Sequence, residues 1–311
     1  MGEPVSTTKK QRRSLSPREL RSRLRKEYPY AGTAWLMVLP SVLFFAVFVI
    51  YPVCNAFYVS LTSWDLISPP KFIGLGNYVR LFSDRSFLNS AMVTIYYTFV
   101  LIIFELPISL GLALLLDRKI KARGLYQAII FAPAVLTMVA VAMIWRVVYA
   151  PTSGLYLMFT EPFGIGGVQW LNNRNLAMPA ILIVSVWKNI GYYMVIFLAG
   201  LQAIPSSYYE AARMDGAGNW AIFRNITLPL LKPFILFVSV ISIIRASQAF
   251  SLFYSLTSGG PANATKVLPY LIYDVAFGFN RMGYASAMAV VMFAALLVLT
   301  IIQFRVLRPQ A

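Results

Sequence analysis

From Tyr28 to Trp64 the chain carries no charged residue, and that one stretch decides its solvent. About 20 apolar residues in a helix cross the hydrocarbon core of a bilayer, and Ala31–Val53 supplies them. Five further apolar runs follow, at about Leu88–Leu116, Leu125–Tyr149, Ala177–Ala203, Phe234–Leu256 and Tyr284–Leu307. Strands of a membrane barrel would be about ten residues long with alternating polarity, and these runs do not alternate. Pro40, Pro52, Pro107, Pro133 and Pro179 fall inside or at the ends of runs, where neighbouring helices resatisfy the freed backbone. The first run is too long for a cleavable signal, and no small-residue cleavage site follows it. Composition agrees: 59% of the 311 residues are hydrophobic and 12% charged, against about 25% charged in a soluble domain. The expectation is an all-α integral membrane protein of six transmembrane helices.

Charge placement orients it. With the N-terminus in the cytoplasm, eighteen of the 27 Lys and Arg fall in inside segments, six in outside loops and three within spans. That bias follows the positive-inside rule, so both termini are expected to be cytoplasmic. The formal charge of +16 is then topogenic and lipid-contacting, and a nucleic-acid partner is not expected. Residues 1–30 read as a basic cytoplasmic tail and 31–311 as the membrane domain. A single cysteine, Cys54, excludes an internal disulfide, and the absence of histidine removes the usual metal ligand and general base.

The longest cytoplasmic loop, residues 204–233, reads IPSSYYEAARMDGAGNWAIFRNITLPLLKP. Ser207 with Glu210 three residues later has the form of a capping box opening a short helix. Ala211 and Ala212 keep one face thin, and Gly216 supplies the positive φ where the helix stops. Asn219 is placed to cap a second helix, Trp220 to Ile226, which Pro229 ends before the next span.

With those residues the chain resembles the permeases of ATP-binding-cassette importers. Glu210-Ala211-Ala212, Gly216, Ile226, Leu228 and Pro229 match the EAA motif of that family at its own spacing. The fuller string YYEAARMDGAG is similar to the sugar branch. FIGLGNY at Phe72–Tyr78, VWKNIGYY at Val186–Tyr193 and TSGGPANAT at Thr257–Thr265 extend the likeness over most of the chain.

The resemblance implies the type I permease fold. Glu210, Ala211, Ala212, Asp215 and Gly216 would form a coupling helix docked in a groove of a separate ATP-binding subunit. It also implies the partners: a second permease, two ATP-binding subunits and an extracytoplasmic solute-binding protein, at the bacterial cytoplasmic membrane. The sequence has no GxxxxGK[ST] loop to cradle phosphates, so no cofactor is expected in this chain. ATP and magnesium belong to the partner, and the chain is not expected to be an enzyme.

Four charges lie inside spans: Glu105, Arg146, Lys188 and Arg245. Arg146 is near a span end and can snorkel. For the other three, two readings stand side by side: ion pairs holding helices together, or contacts to substrate along a polar path. Ser185, Lys188, Asn189 and Tyr192, spaced 0, 3, 4 and 7, share one helical face. That face offers a hydroxyl, an ammonium, an amide and a phenol, which suits a polyhydroxy ligand. By resemblance to maltose-type permeases these positions match sugar-binding ones, with Arg245 and Gln248 near further positions of the same site. The residue types differ, so the identity of the sugar does not carry over. Lys188 and Arg245 together keep a glycerol-phosphate-type anion as the alternative. A self-sufficient carrier would show internal repeats, and a membrane transferase clustered carboxylates; neither is visible.

Overall fold

A computed structural model describes residues 31–118, 120–151, 161–164 and 167–306; the basic tail of residues 1–30 lies outside them. The chain divides into two compact units, Met1–Asn55 and Ala56–Ala311. In the first, α1 (Ala31–Phe45) leads through a π-helical turn, Ala46–Ile50, into the start of α2 (Tyr51–Ser60), which runs on past Asn55. The wide turn sits just ahead of Pro52, whose ring would crowd the carbonyl four residues back in a regular α-helix.

The second unit is built on α4 (Arg85–Leu116), α7 (Ala177–Gln202), α11 (Lys232–Ser247) and α14 (Met282–Val306). Before them come a two-residue hairpin, β1 (Thr62–Ser63) with β2 (Lys71–Phe72), and α3 (Gly76–Ser83). The FIGLGNY segment ties this corner together. Buried Asn77 donates to the carbonyls of Ser60 and Thr62 at 2.8 and 2.9 Å, and the Tyr78 and Ser60 hydroxyls pair at 2.7 Å. Asp84 caps α4, accepting from the Ser86 amide at 2.8 Å.

Among the described residues four helices are long and apolar enough to cross a membrane, or up to six if each of two bent pairs is one span. One of the bent pairs lies within an expected run. The run Leu125–Tyr149 is not one straight helix: α5 (Arg123–Val135) and α6 (Met138–Val148) meet at 99°. Leu136 and Thr137 are extended there, and the Thr137 hydroxyl caps α6 by accepting from the Ala140 amide at 3.3 Å. Among the described residues the run Phe234–Leu256 also breaks. Helix α11 stops at Ser247, and α12 (Ser251–Leu256) is a separate short helix followed by α13 (Leu268–Tyr273).

Three apolar clusters hold the second unit together. One joins α4, α6, α7 and α12 around Tyr97, Val141, Ile181 and Phe253; a second joins α4, α7 and α11 around Ala113, Tyr193, Phe197 and Val238. The third packs α3, α13 and α14 around Leu81, Leu271 and Met288. Large apolar side chains such as Ile95, Phe99, Met143 and Ile302 stay exposed along the long helices. In water so continuous an apolar surface would drive aggregation; in a bilayer it is the lipid face.

The crossing of α5 over α7 is close because of Gly191, where a Cβ would run into the Ile130 carbonyl. Small residues permit such backbone approach between membrane helices.

Candidate functional site: a polar helix face and an exposed elbow

The loop 204–233 folds into an elbow. Helix α8 (Ser206–Met214) ends in a left-handed Gly216 with φ of 76°. The Gly216 amide bonds the Arg213 carbonyl at 3.0 Å and the Ala217 amide reaches back to Ala212 at 2.9 Å. This pair of bonds is a Schellman stop, which needs the conformation glycine adopts at least cost. The expected capping box is absent. The N-cap of α8 is Pro205, with no side-chain cap, so Ser207 already lies inside the helix. Proline's fixed φ moves the boundary back two residues.

The second arm also departs from expectation. Gly218, not Asn219, is its N-cap, and Asn219 is the first residue of α9 (Asn219–Ile222). A π-helical turn, Phe223–Thr227, carries the helix on into α10 (Leu228–Leu230), past Pro229. The bend into α11 comes at Leu231 and measures 64°. Pro229 follows on the wide π-helical turn, which relieves the crowding its ring would cause against the preceding carbonyls in a regular α-helix, as at Pro52.

What the elbow presents is clear from burial. Ala212 is buried, while Glu210, Ala211, Asp215 and Gly216 are exposed. Beside them Met214 is 88% and Trp220 71% exposed, a concentration of apolar area on an otherwise polar loop.

Within the membrane domain, the four predicted residues of α7 do share one stripe, but its members turn to different tasks. Ser185 is fully buried, accepting from the Tyr97 hydroxyl at 2.9 Å and donating to the Ile181 carbonyl at 2.8 Å. Lys188 is also buried, and its ammonium donates to the Ala134 carbonyl at 3.2 Å. That carbonyl is one of those freed where α5 stops at its 99° break, so the cation satisfies a helix C-terminus.

Asn189 and Tyr192 are half-buried, and Arg245 and Gln248 on α11 and at its end are exposed. The Arg245 guanidinium lies over the Tyr192 ring, 4.4 Å from its centre. Desolvated on one side and open on the other, it is a cation held in place by a ring face.

Behind this face lies Glu105 of α4, fully buried. Ser242 of α11 donates to its carboxylate at 2.5 Å, and Asn189 and Arg245 act on it electrostatically. Among the described residues Glu105 forms no ion pair within 4.0 Å; the charges expected to meet in a Glu–Lys or Glu–Arg bridge are held apart by other partners. The carboxylate therefore joins α4 to α11 through Ser242.

Sequence reasoning missed Ser242 and Tyr97. Ser242 was findable, since it lies three residues before Arg245 on the same helical face. Tyr97 was not, because its pairing with Ser185 joins two distant runs. Among the described residues no group of His, Cys, Asp and Glu could hold a metal ion.

With this geometry in hand, likeness to known proteins becomes informative. Residues 105–310 match the family described as "Binding-protein-dependent transport system inner membrane component". The trehalose/maltose transport system permease protein MalF of Thermococcus litoralis is 36% identical over 281 residues, covering 90% of this chain and 95% of that one. The sn-glycerol-3-phosphate transport system permease protein UgpA of Agrobacterium fabrum is 31% identical over 282 residues, covering 89% and 95%. The crystal structure of a bacterial ABC transporter involved in import of the acidic polysaccharide alginate contains a chain of the same fold. It has a TM-score of 0.81 at 23% identity, covering 93% of this chain and 99% of that one. The segment that matches begins at Glu105 and includes the elbow, α7 and the Arg245–Tyr192 contact: this chain belongs to the family of binding-protein-dependent transport system inner membrane components.

Proposed function

We propose that this chain is one transmembrane subunit of an ATP-driven importer and forms, with a second permease, the path for a sugar. The observation that carries the reading is the elbow at Gly216. It has a rigid stop, a thin alanine face and exposed Met214 and Trp220, and it leads through a 64° bend into α11, the helix that bears Arg245. A partner that grips the elbow can move α11 as a lever. Glu210 and Asp215 offer carboxylates to a basic rim on that partner, and the alanines admit helix-in-groove packing. Energy comes from two ATP-binding subunits, which hold the ATP and magnesium. One elbow per chain means that a second permease supplies the other.

The ligand face is Asn189, Tyr192, Arg245 and Gln248, with Ser185 and Lys188 holding it from behind. Relatives named for trehalose/maltose and for starch degradation products support a sugar. A second reading, an anionic polyol or sugar, is favoured by the exposed Arg245 guanidinium and by relatives named for sn-glycerol-3-phosphate and sulfoquinovosyl glycerol. Six spans with both termini in the cytoplasm of a bacterial inner membrane fit the charge bias. An extracytoplasmic solute-binding protein would deliver the substrate.

The test begins with tagged purification in mild detergent and mass spectrometry of the proteins recovered. Recovery of an ATPase and a second permease is expected. The complex in vesicles, with its binding protein, should then show ATP hydrolysis stimulated by one of maltose, trehalose, a maltooligosaccharide or sn-glycerol 3-phosphate. Recovery of this chain alone, under conditions that hold a known importer together, would overturn the proposal.

A further inference from the structure

Immediately beyond the ligand face, the segment between α11 and α14 gathers five aromatic rings. Phe250 stacks on Tyr254 with centroids 5.3 Å apart and lies 5.1 Å from Tyr273. Tyr270 packs edge-on against Phe250 at 5.8 Å and Tyr254 at 5.6 Å, and Phe277 lies 5.3 Å from Tyr273.

The cluster has a buried base and an open rim. Tyr270 is 8% exposed and belongs to the apolar core with Phe253 and Ile181, whereas Tyr254, Tyr273 and Phe277 are 46, 41 and 59% exposed. The rim rings touch one another while leaving their outer surfaces free. The phenol hydroxyls of Tyr254 and Tyr273 make no hydrogen bond among the described residues and, on exposed rings, stay open to a partner from outside. The nearby cation is already spent: Lys266 bonds to Asp274, and its ammonium lies 5.4 Å from the centre of the Tyr270 ring. The patch is therefore ring-rich and hydroxyl-bearing, and its Lys266 charge is already matched, unlike that of Arg245 at the other end of the same face.

From these contacts we infer that Tyr254, Tyr273 and Phe277 form a second saccharide subsite, which stacks an uncharged sugar ring on its way to Tyr192 and Arg245. The inference rests on the sugar-import reading. Ring faces take the C–H side of a pyranose while free phenols meet its hydroxyls. Phe250, two residues after Gln248, makes the aromatic rim continuous with the ligand face. An anion gains little beside Lys266, whose charge Asp274 already matches. A chain of two or more sugar units would span both subsites, so this patch selects for oligosaccharide length.

The test uses the complete transporter with its binding protein in vesicles, and maltose, maltotriose and maltohexaose as probes. Tyr273→Ala and Phe277→Ala are expected to raise the KM for maltohexaose about three- to tenfold each, with a smaller effect on maltose. Tyr273→Phe and Tyr254→Phe, which keep the ring, should stay within about twofold. Basal ATP hydrolysis and subunit recovery should not change. Equal KM values before and after ring loss would overturn the inference. So would loss of the companion subunits on ring removal, which would make the patch a subunit interface. Phe277→Ala, at the most exposed ring, keeps the test readable if an inner variant fails to assemble. A wild-type transporter that takes up none of the three probes, or only an anion, fails the sugar reading itself, whatever the variants do.

Discussion

The guanidinium of Arg245 lies 4.4 Å from the centre of the Tyr192 ring, which joins two transmembrane helices through a cation that keeps one side open. The contact fixes where a charge can meet a ligand. An exposed arginine without the ring would sample many rotamers and lose that entropy on binding; over Tyr192 part of the cost is met in advance.

Removing either partner should therefore change selectivity as well as rate. Arg245→Gln is expected to weaken uptake of sn-glycerol 3-phosphate at least about tenfold more than uptake of a neutral sugar. Tyr192→Leu should weaken both, by an amount consistent with about 0.5–2 kcal/mol of lost ring contact. Competitive uptake in vesicles measures the ratio. Equal losses for charged and neutral substrates on Arg245→Gln would assign the arginine to helix packing.

Glu105 and Ser242 should behave as a coupled pair. Ser242→Ala removes the donor to a fully buried carboxylate and is expected to cost about 1.5–3 kcal/mol, read as a lower Tm in detergent. Glu105→Gln retains an oxygen that can accept from Ser242 and should cost less. Glu105→Leu combined with Ser242→Ala should lose less than the two single changes together, because the unmatched charge is gone. Additive losses would mean that the 2.5 Å contact contributes nothing specific.

At the elbow, Gly216→Ala places a Cβ at φ of 76° and should destabilise the turn by about 1–2 kcal/mol. Substrate-stimulated ATP hydrolysis should fall while basal hydrolysis persists. Gly216→Asn, which tolerates that conformation better, should retain more coupling. Gly216→Leu with full stimulation would show that the elbow does not transmit the stroke.

Gly191→Ala drives a methyl into the Ile130 carbonyl. Backbone cannot yield as a flexible side chain can, so α5 must move away from α7, at a cost of about 1–3 kcal/mol. The shift also disturbs Lys188 at the end of α5. Crosslinking between cysteines placed on α5 and α7 should decline; unchanged crosslinking would mean that the crossing has slack.

Asp84, just ahead of α4, gives a pH prediction. Burial opposes its charge, but the Tyr284 hydroxyl at 2.7 Å, the amides of Ser86 and Phe87, and Arg80 outweigh it and lower its pKa below 3.8. A depressed folded-state pKa contributes stability that is present above the unfolded value and lost as pH falls through the folded one. The capped corner should hold at neutral pH and loosen only below about pH 4. Asp84→Asn should make thermal stability less dependent on pH in that range, and an unchanged dependence would assign it elsewhere.

The apolar character of the runs and the EAA loop were legible because each depends on local composition and spacing. A charge-free stretch states its solvent wherever it lies, and a glycine after a short helix states its turn. The breaks were less legible. Leu125–Tyr149 looks like one span because hydropathy carries no direction, and only the extended Leu136 with the Thr137 cap shows the 99° bend. The capping box at Ser207 failed because Pro205 sets the helix boundary more strongly than a favourable pair inside it.

The candidate site divides the same way. Periodicity by itself put Ser185, Lys188, Asn189 and Tyr192 on one stripe of α7, since 3.6 residues per turn is a property of any helix. Which of them meets a ligand depends on what each finds across the gap. Ser185 found Tyr97, Lys188 found the carbonyls left over at the end of α5, and Tyr192 found Arg245. Buried polar groups take whichever partner the packing brings within reach, because leaving one unmatched in a membrane interior costs more than any local preference. Membrane residence and the elbow at Gly216 follow from the order of residues in the chain; which polar groups of α7 and α11 remain open follows only from how the helices cross.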